Sequence, residues 1–269
     1  MLKVYIISLV KDVEKRKVIT KSLLDLQIDF EFVDAIYGKE LSHDEIKYYR
    51  DMSAGKILRR KYDATLGEIG CTLSHLKAYH NVLLSKDEWA CILEDDAILD
   101  SRFKKFLYEL KSDNLNKEHL YLLGGQEGLC LKNAVFSKKN TLELGGEEFK
   151  KSLKSERNIF RTCCYLVSDV MAKKIIDLSH NKLFLADDWG FIRESGCFKY
   201  LYLSDFVSHP IDLIDSNIEV ERQISSFSAF NRGSLVDRIY IRIYSRFQNF
   251  LKKIRTRILK IYVYLERKD

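Results

Sequence analysis

Three consecutive acids, Glu94-Asp95-Asp96, follow the apolar run Ala90-Cys91-Ile92-Leu93. A short apolar run of this kind reads as a strand buried on both faces, as in parallel sheets. Acids at its carboxyl end are not core, because unpaired carboxylates are strongly disfavoured away from water. They stay together where water or a cation neutralises them, and the space beyond a strand's carboxyl end is where open α/β sheets bind ligands. The chemistry this suggests is a hard divalent cation, Mn²⁺ or Mg²⁺, held by carboxylates, water and substrate phosphates. Asp96 and Asp95 are the candidate metal ligands, with Glu94 beside them. The plainer alternative is a strand-to-helix turn in which one of these acids caps a helix beginning at Ser101.

A second acidic pair, Asp187-Asp188, precedes Trp189. Functionally this reads as a general base with a stacking aromatic, and structurally as a helix cap. His209, before the only proline, Pro210, is a candidate metal ligand or a structural histidine. Ser74-His75 lies in the middle of a helical pattern, where serine competes for backbone bonds, and a helix running to the ligand edge of the sheet would explain it. Ser8 and Leu9, with Lys11 and Arg16 beyond, are candidates to line a nucleotide site, against a solvated helix position for Arg16.

Elements that would carry these residues follow in order. Lys3–Leu9 reads as a strand, a helix follows from Asp12 to Leu26, and Glu31–Ile36 reads as a second strand, forming one βαβ unit. Ser42-His-Asp-Glu45 has the form of a capping box opening a short helix. Arg59-Arg60-Lys61 falls in a loop, and a helix follows the glycines 67 and 70. After the acidic strand come a helix over 103–110 and a strand over 119–123, closed by Gly124-Gly125-Gln126-Glu127-Gly128. Residues 129–157 read as an irregular mobile loop or hairpin. Residues 158–167 read as a strand, 169–178 as a helix capped by Ser168, and 200–203 as the last strand.

The net charge of +6 is uneven. Residues 232–269 hold eleven Lys/Arg and three Asp/Glu, a net +8, whereas the preceding 231 residues sum to −2. Apolar residues recur in this tail at spacings of three and four, the pattern of a basic amphipathic helix on an anionic membrane surface, or else of a partner-docking helix. Nucleic acid is not indicated, since the body is slightly acidic and no reading motif accompanies the tail. The expected organisation is a domain over 1–231 and a tail over 232–269. No apolar run is long enough to span a membrane. The first residues alternate as a strand rather than as a leader, which gives the expectation of a cytoplasmic protein. The six cysteines show no C-x-x-C spacing and read as free thiols.

Together, the block Gly67 to His75, the block Ile92 to Asp96, and the N-terminal Ile6-Ile7-Ser8-Leu9 strand with Arg16 resemble glycosyltransferase family 25, the lipopolysaccharide and lipooligosaccharide glycosyltransferases. The resemblance runs in order over roughly residues 3–210. It implies a GT-A-like α/β fold, a Rossmann-type mixed sheet flanked by helices. It also implies a nucleotide-sugar donor, commonly UDP-galactose, and inversion at the anomeric carbon. On this reading Glu94, Asp95 and Asp96 fall on the family's acidic motif, which holds Mn²⁺ or Mg²⁺ against the diphosphate. Ser74 and His75 fall on its Ser-His, and Arg161-Thr162 with Tyr165 resemble the strand before the second acidic site. Asp188 would be the base with Asp187 in reserve, and Trp189 would stack on a sugar. The acceptor would be a lipid-linked oligosaccharide, met at the inner face of the inner membrane. A different UDP-sugar donor, or a non-catalytic sugar-binding or adaptor protein on the membrane surface, are the competing readings.

Overall fold

The structure is a computed structural model that describes residues 2–52, 64–129, 131–211, 221 and 235–265, with side chains in the last helix described from 246 onward except 248. The expected basic loop at Arg59–Lys61 lies outside the described residues, as do residues 212–220 and 222–234.

Strands β1 (Lys3–Ser8), β2 (Glu31–Asp34) and β3 (Trp89–Glu94) form the parallel start of one sheet. Helix α1 (Val13–Asp25) makes the first crossover. Helices α2 (His43–Met52) and α3 (Leu66–Ser85) lie between β2 and β3, and α4 (Ser101–Glu109) follows β3. Strand β4 (His119–Gly124), the hairpin β5 (Phe136–Leu144) and β6 (Glu147–Ser152), β7 (Cys164–Ser168) and β8 (Tyr200–Val207) complete eight strands in the order β2-β1-β3-β7-β4-β8-β6-β5. Strand β7 runs antiparallel between β3 and β4, so the sheet is mixed, as expected. Helices α5 (Asp169–Ser179), α6 (Trp189–Glu194) and α7 (Leu235–Leu265) finish the chain.

The period of two along a strand divides the core between the two faces of the sheet. Val4 and Ile6 of β1 join Cys91 and Leu93 of β3 beneath Ile19 and Leu23 of α1 and Phe103 and Phe106 of α4. Tyr5, Ile7, Ala90 and Ile92 point the other way, against Ala78, Tyr79 and Val82 of α3 and Met171 and Ile175 of α5. Strand β3 is apolar from Trp89 to Leu93 because both of its faces are covered. Each such Leu or Ile contributes about 1.5–3 kcal/mol of burial.

A capping box fixes the start of α3: Thr65 Oγ1 accepts from the Glu68 N–H at 3.2 Å, and Glu68 Oε2 accepts from the Thr65 N–H at 3.0 Å. The next turn lies hard against the loop after β2. A Cβ on Gly70 would sit 2.6 Å from the Ile36 carbonyl oxygen and 2.7 Å from the Gly38 nitrogen, so glycine is required there. Ser42 and Glu45 form the box expected ahead of α2.

Of the two readings of 129–157 the hairpin holds: β5 and β6 pair across the Gly145-Gly146 turn, and β6 closes the sheet by pairing with β8. One expectation changes. The strand expected from residue 158 begins only at Cys164, because Glu156–Asn158 is a 3₁₀ turn and Arg161 has a left-handed backbone, φ 64°. Helix α7 touches the body through buried Thr256 and Val263 and through Arg255, whose guanidinium donates to the Lys154 carbonyl at 2.8 Å.

Candidate active site

The three acids leave the end of β3 in three directions. Glu94 turns toward α3, where Oε1 lies 3.2 Å from His75 Nε2 and also accepts from the Thr162 hydroxyl. Asp95 turns toward β1 and accepts from Ser8 Oγ at 2.6 Å, with Lys15 Nζ 4.0 Å from its other oxygen. Asp96 faces His209, Oδ2 to Nε2, at 3.4 Å. The helix at Ser101 is capped by Asp100, which accepts from the Arg102 N–H at 2.8 Å. The triplet is therefore not spent as a cap, and the plainer alternative is set aside.

Topology explains why His209 arrives beside Asp96. An antiparallel bridge joins Ile98 to Ser208, with N–H to carbonyl bonds of 2.8 and 3.1 Å, and places the residue after β8 against the acidic turn. His209 Nδ1 lies 2.7 Å from the Pro210 carbonyl. A carbonyl can only accept, so Nδ1 carries a proton and Nε2 is the atom aimed at the acids. Burial alone would raise the Asp96 carboxyl, but the hydrogen bond and charge of His209 outweigh it and hold it below its ordinary 3.8. Burial likewise pushes His209 down, and the bond to Asp96 outweighs it and lifts the imidazole above 6.5. Asp95 has instead the Ser8 hydroxyl and, at 4.0 Å, the Lys15 ammonium. Desolvation dominates over the Ser8 bond and pushes its carboxyl up to about 6.

Glu94, Asp96 and His209 each offer a ligand atom within 4.8 Å of the others. Among the described residues Asp96 Oδ1 is buried with no hydrogen-bond partner. An orphaned carboxylate oxygen next to a second carboxylate and an oriented imidazole suits a hard divalent cation, which would satisfy it. The residues present thus fit Mn²⁺ or Mg²⁺.

These side chains edge a cleft of about 320 Å³ between the carboxyl ends of β1 and β3 and the first turns of α3. Its walls include Ser8, Leu9, Ser74, His75, Glu94, Asp95, Asp96 and His209, so eight of the residues singled out in the sequence converge there. Within that wall Ser74 acts on the protein rather than on a ligand. Its hydroxyl donates to the Gly70 carbonyl at 2.6 Å and accepts from the Ile36 N–H at 2.8 Å, tying the loop after β2 to α3.

The other expected residues are not in the wall. Arg16 clamps β1 to β2, its guanidinium donating to the Ser8 and Leu9 carbonyls and to Asp34 at 2.6 Å while stacking on Phe32. Those bonds commit it to the fold, so its expected nucleotide role is corrected. Trp189 is fully buried, edge-on to Tyr165, and has no ring face to offer a sugar. Instead its Nε1–H donates to the Arg161 carbonyl at 3.1 Å. Asp188 caps α6 by accepting from the Phe191 N–H at 3.1 Å, and Asp187 accepts from the Arg161 N–H at 3.3 Å. Asp187 and Trp189 therefore grip both sides of Arg161 and fix the turn that presents Thr162 to Glu94.

Sequence reading passed over Lys15, Asp12, Tyr37 and Lys39, which line the cleft. The signal for Lys15 was available: it stands one residue before Arg16, in the helix leaving β1. Tyr37, Lys39 and Glu221 carried none. Glu221 enters through bonds distant in sequence, accepting from the Gly67 N–H at 2.8 Å and pairing with Lys39 at 3.4 Å.

The profile of glycosyltransferase family 25 (LPS biosynthesis protein) matches residues 1–189. Procollagen galactosyltransferase 1-B of Xenopus laevis is 31% identical over 131 residues, covering 44% of this chain and 20% of that protein. Procollagen galactosyltransferase 2 of Homo sapiens is 30% identical over 125 residues, 44% of this chain and 19% of that one. The probable inactive glycosyltransferase 25 family member 3 of Rattus norvegicus is 29% identical over 123 residues, 43% and 20%. The chain thus spans about a fifth of the length of these curated relatives. Among solved structures, the inositol-1-phosphate CTP transferase from T. maritima aligns over 87% of this chain and 98% of that one, at 13% identity and a TM-score of 0.42.

Proposed function

The chain belongs to glycosyltransferase family 25, and from that premise we propose that it transfers a hexosyl group from a nucleotide sugar to a glycan acceptor. Its relatives carry both active and inactive names, so activity is argued from this chain's own site. The observation that carries it is the buried, unpartnered Asp96 Oδ1 beside Glu94 and His209. A non-catalytic sugar-binding protein has no use for an acid held in that state, since desolvation without a partner costs about 1–3 kcal/mol or more.

We propose a GT-A-like use of the sheet, in which the nucleotide sugar enters the cleft at the ends of β1 and β3. Glu94, Asp96 and His209 would hold Mn²⁺ or Mg²⁺, which when bound supplies Lewis-acid neutralisation of the leaving diphosphate. Asp95 is set apart from that group by Ser8. Lys15 and Lys39 add positive charge along the same wall. Inversion requires a base on the face opposite the leaving group. We propose Asp188 for that role, with Asp187 in reserve; both stand outside the cleft wall, and each carboxylate accepts one backbone N–H, from Phe191 and from Arg161. UDP-galactose is the donor we propose, on the names of the relatives. A lipid-linked saccharide is the acceptor we propose, on the family description.

Helix α7 supports the lipid part of this reading. Phe247, Phe250, Leu251, Ile254, Ile258, Ile261, Tyr262 and Leu265 are all exposed and recur at steps of three and four. Arg246, Lys253, Arg257 and Lys260 are exposed on the same helix. No helix among the described residues is long and apolar enough to cross a membrane. An apolar stripe with basic residues beside it suits a helix lying in an anionic interface. We propose that α7 holds the enzyme there, at the inner face of the inner membrane.

The test is release of UDP from a panel of UDP-sugars with Mn²⁺ or with EDTA. Metal-dependent release from one sugar, lost in Asp96→Asn, supports the proposal and names the donor. Absence of binding and turnover with every nucleotide sugar refutes it.

A further inference from the structure

The cleft wall carries a second set of ligating atoms. Cys71 and His75 stand four residues apart on α3 and share a face. The Cys71 thiol, a His75 ring nitrogen and a Glu94 carboxylate oxygen lie within 4.8 Å of one another. His75 already has the setting of a metal-binding histidine. Its Nδ1 is 2.7 Å from the Tyr165 hydroxyl, which is bonded in turn to Tyr79 at 2.9 Å, so the ring is held with Nε2 toward Glu94. Glu94 is steadied by Thr162. Among the described cysteines, Cys71 is the one that is not buried, and it lines the cleft.

We infer that Cys71, His75 and Glu94 form a seat for a thiophilic divalent ion of the Zn²⁺ class, separate from the Asp96–His209 side and sharing only Glu94 with it. Thiolate and imidazole together favour Zn²⁺ or Cd²⁺, whereas Mg²⁺ and Mn²⁺ favour oxygen. Cys71 binds as the thiolate, and its proton passes to solvent as the sulfur–metal bond forms. Three protein ligands leave a fourth position open to the cleft. Because Glu94 belongs to both sets, an ion on the sulfur side draws it away from Asp96 and His209. The two ions therefore weaken each other's binding by the same factor. This seat is a property of the folded chain and is independent of the transferase reading.

Cd²⁺ is the probe, since a thiolate bound to it gives an ultraviolet charge-transfer band. The full chain, in excess Mg²⁺, is expected to develop this band and saturate at one ion per chain. Cys71→Ser should abolish it, His75→Gln should weaken Cd²⁺ binding at least tenfold, and Cys197→Ser, at a buried cysteine outside the cleft wall, should leave it intact, with circular dichroism confirming that each variant is folded. A missing band, or one that survives Cys71→Ser, overturns the seat. The sharing of Glu94 is read separately by Mn²⁺ electron paramagnetic resonance. Saturating Cd²⁺ should raise the Mn²⁺ midpoint about tenfold in the parent and leave it unmoved in Cys71→Ser. An unmoved midpoint in the parent overturns the sharing.

Discussion

Asp95 is held at a cost to the fold, and that cost is measurable. Its side chain is 13% exposed, and desolvation outweighs the Ser8 hydrogen bond to raise its carboxyl from 3.8 to about 6. Between those two values the folded protein keeps a proton that the unfolded chain has lost. Stability therefore falls as pH rises through the window, and the full penalty stands above it. Roughly two units correspond to about 3 kcal/mol. Asp95→Asn removes the charge, keeps an oxygen to accept from Ser8, and should recover most of that amount. The assay is urea unfolding of both proteins in EDTA at pH 4 and pH 7.5. The variant should exceed the parent by about 3 kcal/mol at the higher pH, near 1 M in urea midpoint for a slope of about 3 kcal/mol per molar. At the lower pH the two should be nearly equal. An Asn variant no more stable at pH 7.5, or a gain that does not change with pH, would refute the desolvation argument.

Gly70→Ala should cost about 1–3 kcal/mol by forcing α3 off the Ile36 carbonyl, read as a lower urea midpoint together with weaker donor binding at the displaced cleft wall. Thr65→Ala removes one arm of the capping box and should cost about 1 kcal/mol without changing the pH dependence, again by urea unfolding. His119, lowered to about 4 chiefly by desolvation, binds its proton less readily folded than unfolded, so stability should fall as pH drops below 6.5. His119→Gln should flatten that limb in a thermal scan from pH 7 to 4. Replacing Lys253, Arg257 and Lys260 by Glu should abolish co-sedimentation with anionic vesicles, at about 1 kcal/mol per charge removed, and leave UDP release in solution unaltered.

What the sequence disclosed followed from local patterns with physical limits. The continuous apolar run into Glu94 announced a doubly covered strand, because helices on both faces explain it, although of its neighbours β1 is parallel and β7 antiparallel. Mid-helix Ser74 was rightly noticed as odd, but its reason, the Ile36 N–H, comes from another element. Arg16 and Trp189 misled for a common reason: charge and aromaticity suggest a ligand, while their bonds to Asp34 and to the Arg161 carbonyl are long-range and invisible to periodicity. His209 was a lone histidine until the Ile98–Ser208 bridge set it against Asp96. The left-handed Arg161 escaped notice because non-glycine residues seldom adopt that backbone.

The bonds that hold the three acids span 19 residues to His75, 68 to Thr162 and 87 to Ser8, while His209 closes on Asp96 from the far end of the sheet. No local segment contains the centre. During synthesis the acidic turn is made well before Thr162 and His209 leave the ribosome, and until then it is a solvated, self-repelling loop. The β3–β7 pairing that draws Thr162 toward Glu94 is a long-range closure, among the slower steps in forming a sheet. The proposed cation site is therefore a late product of folding, and metal uptake by the nascent chain would report the moment at which the last strand docks.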